Sequence, residues 1–372
     1  MNNKLMKLFA AVIAIGLLAG CGANNAATEP AGDAVSASGN AATTTETEAP
    51  AEAPEEDASK TIDVLKVSFV PSKDPEQIIT MTEPLKELLK NQLATQGYTV
   101  GSVEIDVGTT YEAVGEALSA GTTDIGLIPG GTYVLYDDGA EVILTATRKA
   151  LSIDSDDPKE WNDNKPTTGL DDQQASYYRS LVIAGPSEKG QALAAKVNNG
   201  EELTWEDLNG ASWAVMSTSS SAGYIYPTLW LQANYGKSLT DLAQVTQSDS
   251  YGSSFARLAA GQVDVVVAYA DARRDNEEKW TSEYGGTASI WDQTNVIGVT
   301  QPIYNDTISV SKNSPIMTDD LKKALQEAFM TIAGTEEGKE VIAVYTHEGY
   351  KVAQPSDYDG ERKAQELLRS MK

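Results

Sequence analysis

The chain has 372 residues, of which 41% are hydrophobic, and a formal net charge of −26. That length holds a leader and two lobes, and the acidity excludes nucleic acid or an anionic membrane surface as a partner, since both demand a basic patch. A single cysteine and a single histidine exclude an intrachain disulfide and any Cys/His metal cluster.

The chain opens with the basic Lys4 and Lys7 and the apolar run Leu8 to Gly20, too short to span a bilayer, and then Cys21. This pattern predicts a secretory leader over 1–20. Leu18-Ala19-Gly20-Cys21 resembles the lipobox of bacterial lipoproteins, which implies a diacylglycerol on the Cys21 thiol and a protein anchored on the extracytoplasmic face of the cell membrane. Residues 21–60 are rich in Ala, Thr, Glu, Pro and Ser with almost no large apolar side chain. They cannot bury enough surface to offset their ordering entropy, so a disordered linker is expected.

From residue 61 the pattern turns globular. "VLKVSFVPS" reads as a strand, and Asp74-Pro75 caps a helix expected to run to Leu93. A strand over Val103 to Val107, a helix over Tyr111 to Ala120, a strand over Asp124 to Ile128 and a Gly-rich turn at Pro129-Gly130-Gly131 follow. The polar stretch 152–174 reads as a long surface loop. Beyond it come the strand "YYRSLVIAG", a strand over Ser212 to Met216, helices from Gly223 and Ser253, a strand over Val263 to Tyr269, and a helix from Asp271 to Tyr284. One last strand near Ile303 to Val310 is followed only by helices, expected to pack on the first lobe. Strand and helix in alternation predict α/β lobes with parallel sheets. Two crossings, near Tyr178 to Ile183 and Tyr304 to Ile308, give a two-lobed periplasmic-binding-protein-like (type II) fold with crossover strands at the hinge. Lobe 1 is expected over 61–180 and 305–372, and lobe 2 over 181–304.

The segment "WAVMSTSSSAGYIYP" places Ser217, Thr218, Ser219, Ser220 and Ser221 between a strand and a helix. A helix N-terminus offers unpaired N–H groups and a partial positive charge, and so holds an oxyanion without any basic side chain. Hydroxyls there add donors, and Gly223 permits close approach; the same run also reads as a generous N-cap.

Taken with "VSFVPSKDPEQI", "TTYEAVGEALSAGTTDIGLIPGGTYVL", "SYYRSLVI", "LAAGQVDVVVAYAD" and "PIYNDTISV", this segment resembles the substrate-binding proteins of phosphate, phosphite and phosphonate ABC transporters. The resemblance runs over nearly all of the chain after the linker. It implies a small phosphorus oxyanion as ligand, a permease and through it a cytoplasmic ATPase as partners, a monomer, and no cofactor. Carried over by position, it implies Tyr111, Tyr177 (with Tyr178 its neighbour), Ser220 and Ser221 as anion ligands. The family's third hydroxyl falls on Ala222, so Ser219 or Thr218 replaces it. Tyr251 stands where many members carry a histidine. Members that bind aminoalkyl phosphonates use acidic residues that match Asp271 and Asp306, which would take an ammonium group or a proton of the ligand. Asp271 also reads as a helix N-cap, and Asp306 as a turn residue.

A hydrolase is the competing class, but a serine nucleophile needs a base. The one histidine, His347, lies in the terminal segment and reads as a surface or helix-end residue. A receptor of the same fold for a sulfonate such as taurine is the second alternative.

Overall fold

The structure, a computed structural model, describes residues 60–370. The leader, Cys21 and the linker as far as residue 59 lie outside the described residues. The strands in chain order are β1 (Thr61–Phe69), β2 (Thr99–Val107), β3 (Ile125–Ile128), β4 (Ala140–Leu151), β5 (Gly169–Ala175), β6 (Tyr177–Tyr178) and β7 (Ser180–Ala184). They continue as β8 (Trp213–Val215), β9 (Val245–Gln247), β10 (Val265–Tyr269), β11 (Asn295–Val299), β12 (Ile303–Tyr304), β13 (Thr307–Ser311) and β14 (Gly349–Val352).

The first sheet has the order β14-β4-β13-β3-β1-β2, with β5 added along β4, and the second has the order β11-β7-β10-β8-β9. Parallel pairing holds for β2-β1-β3 and for β10-β8-β9. The other pairs are antiparallel, so the sheets expected to be parallel are mixed. Strands β7 and β13 enter their sheets directly from the crossings, without the helical return that a parallel neighbour requires. Where the chain crosses, β6 and β12 pair antiparallel, Tyr178 with Ile303 and Tyr177 with Tyr304. This short ribbon is the hinge. Buried Asn305 pins it: its side-chain amide donates to the carbonyls of Ala146 and Ala175, at 2.8 and 2.9 Å.

Apart from the exposed edge strand β9, the second sheet is buried on both faces, which is why β7, β8, β10 and β11 read as largely apolar runs. In β10, Val266 and Ala268 join the core that continues into the first lobe, whereas Val265 and Val267 pack with Trp213, Leu193 and Leu231 on the outer face, as a period of two dictates.

Several expected elements differ. The helix over Pro75 to Leu93 is two helices, Pro75–Thr82 and Leu85–Thr95, because Pro84 supplies no amide and its ring clashes with the preceding turn. Asp74 caps the first of them, accepting from the amides of Glu76 and Gln77. Gly130 and Gly131 open a short helix, Gly130–Leu135, rather than a turn. The 152–174 segment holds a helix, Pro158–Asp163, and β5. Trp161 is 1% exposed, and Asn162 exchanges hydrogen bonds with the backbone of Val296, so the segment is tied down by burial. Strand β14 interrupts the terminal helices and completes the edge of the first sheet.

Candidate functional site

A cavity lies between the lobes. Helix N-termini converge on it. Thr110 caps the helix Tyr111–Ala120, accepting from the Ala113 amide, and Ser250 caps the helix Tyr251–Ala259, accepting from the Ser253 amide. Both caps place a tyrosine at the first helical position with its side chain in the cavity, Tyr111 and Tyr251, each 3% exposed. Burial pushes both phenols well above their ordinary pKa, so both remain protonated hydrogen-bond donors.

The third terminus is the hydroxyl run. Strand β8 ends at Val215, Ser220 caps a π-helical turn over Ser221–Ile225, and an α-helix follows over Tyr226–Tyr235. Gly223 is required there: a Cβ would stand 2.4 Å from the Met216 side chain. The Ser220 Oγ accepts from the Gly223 amide at 3.1 Å and lies 3.3 Å from the Tyr251 hydroxyl. Of the run, Ser220 lines the cavity.

The other hydroxyls are spent between the lobes. Ser217 and Thr218 donate to the Glu112 carboxylate, which burial pulls up but these hydrogen bonds hold below the usual carboxylate range. Thr132 donates to Ser219, and the Gly131 amide donates to Ser221 Oγ at 2.9 Å. Ser221 also donates to Glu361 at 3.4 Å. The structure therefore does not bring Ser219 or Ser221 to the cavity wall; both are 0% exposed and face the first lobe.

At the crossing, strand alternation decides between the two tyrosines. Tyr178 lines the cavity, and Tyr177 points the other way, 40% exposed, its hydroxyl donating to Asp154 at 2.5 Å. The choice of Tyr177 over its neighbour is corrected by this geometry.

Asp306 lines the cavity, whereas Asp271 lies behind its wall, 2% exposed. Both carboxylates already have a cation. Arg148, on β4, places Nη2 at 2.8 Å from Asp306 and Nη1 at 3.9 Å from Asp271, and Arg274 reaches Asp271 at 2.8 Å. The expectation that the pair faces a ligand ammonium is corrected accordingly. Burial pulls Asp306 upward, but the Arg148 charge and the His347 hydrogen bond hold it below the usual carboxylate range, so it is ionised. Burial pushes Asp271 up against the pull of Arg148.

Arg148 itself is 5% exposed, and its guanidinium carbon lies over the rings of Tyr178 and Tyr269, at 4.5 and 5.5 Å from their centroids. Its Nε and Nη1 have no hydrogen-bond partner. Buried donors left unmade are costly. Lys73, also on the cavity wall, pairs with Asp275 at 2.7 Å and lies over Tyr269. Thr346 donates to the same Asp275 from a left-handed backbone at φ 63°, a strained conformation for a β-branched residue.

Neither cation stood out in the sequence. The signal for Arg148 was its phase, since it continues the row of buried Val142, Leu144 and Ala146 along β4, and a charge on a buried face needs partners. His347 is also corrected. It is 3% exposed with Nε2 at 3.4 Å from Asp306, and burial holds its imidazole below the ordinary value and hence neutral at neutral pH.

Two α/β lobes, a two-stranded hinge and a cleft ringed by helix N-termini define a periplasmic-binding-protein-like receptor. Residues 67–358 match the model of the phosphonate ABC transporter periplasmic substrate-binding proteins, and the chain belongs to that family. It is a family of extracytoplasmic transport receptors rather than enzymes. Among solved structures, the binding component of an ABC phosphonate transporter from Pseudomonas aeruginosa superposes with a TM-score of 0.62 at 16% identity, covering 83% of this chain and 88% of that one. A Xanthomonas citri protein bound to chloride gives 0.59 at 14%, over 83% and 98%. PhnD1 of Prochlorococcus marinus, in complex with methylphosphonate, gives 0.56 at 14%, over 82% and 98%. At these identities the likenesses show the fold. Among the described residues no helix is long and apolar enough to cross a membrane.

Proposed function

We propose that this protein captures a small phosphorus oxyanion, a phosphonate or phosphite, between its lobes and delivers it to a membrane permease coupled to a cytoplasmic ATPase. The lobes, residues 61–180 with 305–372 and residues 181–304, close on the ligand about the β6/β12 hinge. The protein works as a monomer held to the outer face of the membrane by a lipid on Cys21.

The observation that carries this reading is the buried Arg148, with two nitrogens unpartnered, on a cavity also lined by Tyr111, Tyr251 and Ser220. In a chain of net charge −26 such a site gathers a buried guanidinium and preoriented donors in one place, and a small tetrahedral oxyanion satisfies several donors at once. The phenols and the Ser220 hydroxyl supply neutral donors that need no reorganisation when the cleft shuts.

Calorimetric titration of the purified protein with methylphosphonate, phosphite, phosphate and taurine tests this. Binding of methylphosphonate or phosphite is expected. Heat with taurine and none with any phosphorus compound would make it a sulfonate receptor instead.

A further inference from the structure

We infer that Arg148 is a built-in counter-ion that fills the place a ligand ammonium would take, so that the cleft selects phosphorus oxyanions without an amine. The inference rests on the proposed oxyanion reading and narrows it. A ligand ammonium beside Asp306 would meet two carboxylates and the faces of Tyr178 and Tyr269. In this chain the Arg148 guanidinium has all of these: Asp306 at 2.8 Å, Asp271 at 3.9 Å, and both rings.

The remaining carboxylate near the cavity, Asp275, is taken by Lys73 at 2.7 Å and by the Tyr269 and Thr346 hydroxyls. An ammonium entering the cavity would therefore find each of these carboxylates paired and would stand close to Arg148, a like charge in a site poorly screened by water. A second carboxylate-bearing route for an ammonium is closed in the same way. Arg148 also forms the wall of the adjoining cavity, where Asp271 and Asp154 are the carboxylates and Arg274 and Arg179 already pair with them, at 2.8 and 2.5 Å. What Arg148 leaves open is acceptor-seeking. Arg148 lines the cavity, and its guanidinium has donors only, so an oxygen of the ligand can accept from it, whereas an ammonium has no acceptor to offer.

The test is a comparison of methylphosphonate with 2-aminoethylphosphonate by calorimetry. The wild-type protein is expected to bind methylphosphonate at least about tenfold more tightly, since one unfavourable like-charge contact in a partly buried site is worth a kcal/mol or more. In Arg148→Met the preference is expected to reverse, because Asp306 and Asp271 are then free for the amine while the anion has lost its cation.

Breaking a buried pair is destabilising, so Arg148→Met/Asp271→Asn, which removes one charge of each sign, is the second variant; it keeps Asp306 for the amine and should show the same reversal. A wild type that binds neither these phosphonates nor phosphite removes the oxyanion reading itself. A wild type that binds methylphosphonate but takes 2-aminoethylphosphonate equally well or better overturns this inference alone. So does an unchanged preference in whichever variant gives a cooperative melt.

Discussion

Because the Ser220 Oγ already accepts the Gly223 amide hydrogen, the hydroxyl's own proton is what remains to offer a ligand. The Tyr251 hydroxyl, 3.3 Å away, lines the same cavity and can offer a second donor beside it. Ser220→Ala should therefore weaken methylphosphonate binding by about 10- to 100-fold, the range for one hydrogen bond to a charged group. It should also lose about 1 kcal/mol of stability with the cap. Ser219→Ala, one residue away, should leave affinity within a few-fold, since Ser219 meets Thr132 and not the cavity. Calorimetric titration of the two variants separates them, and equal losses would mean that the run acts as one cradle. At this scale the sequence showed the donors whose place follows from local rules, the tyrosines at helix starts and the hydroxyls at a strand end. It concealed the role of Arg148, because the phase along β4 marks only a charge on a buried face and the bond to Asp306 spans 158 positions of chain.

The terminal helix Asp359–Ser370 shows what a single element adds. It packs against the helix Gly130–Leu135 of the first lobe and against the Ser221–Ile225 turn of the second. It buries Glu361, 1% exposed, with one carboxyl oxygen unpartnered. Burial pushes the Glu361 carboxyl up to about 8. The folded protein thus retains a proton that the unfolded chain has lost, in the window from the ordinary glutamate value of 4.5 up to about 8. Across that window the unfolded state binds fewer protons, so stability falls as pH rises, by up to about 1.4 kcal/mol per pH unit, and levels off above it. Glu361→Gln should match the wild type near pH 5 and exceed it near pH 9 in denaturant midpoints. A difference independent of pH would refute the buried neutral carboxyl. Elements with strong local signals were legible in the sequence: β1, the Asp74 cap, the helix Tyr111–Ala120 and the apolar runs of the second sheet. Those missed depend on distant packing. The helix around Trp161 forms against β11, and β14 is a strand because β4 offers it an edge.

For the whole molecule, binding strength depends on how often the lobes meet in the right way, since the apparent dissociation constant is the intrinsic one divided by the competent fraction. Much of the lobe contact is made by the chain itself. Glu112, at the start of a first-lobe helix, takes hydrogen bonds from Ser217 and Thr218 of the second. The Gly131 amide meets Ser221, with so little space that a Cβ on Gly131 would stand 2.3 Å from Ile225. The Tyr251 amide donates to the Ser72 carbonyl at 3.2 Å, and Lys279 donates to Gln77 at 3.3 Å. These contacts join one lobe to the other across the cleft, and they add to whatever a ligand contributes to the closed arrangement. Glu112 is the cleanest probe, because it does not line the cavity, yet two charge-assisted hydrogen bonds end on it. Glu112→Ala should open the ligand-free protein, seen as a larger radius of gyration in solution scattering. It should also raise the methylphosphonate dissociation constant by roughly 5- to 30-fold, about 1–2 kcal/mol for the lost pair of hydrogen bonds, chiefly through faster release. Saturating ligand should bring the variant back to the wild-type scattering curve, since the liganded contacts are intact. An unchanged affinity with an enlarged free form would show that the ligand alone closes the cleft and that the hydroxyl run contributes nothing to it.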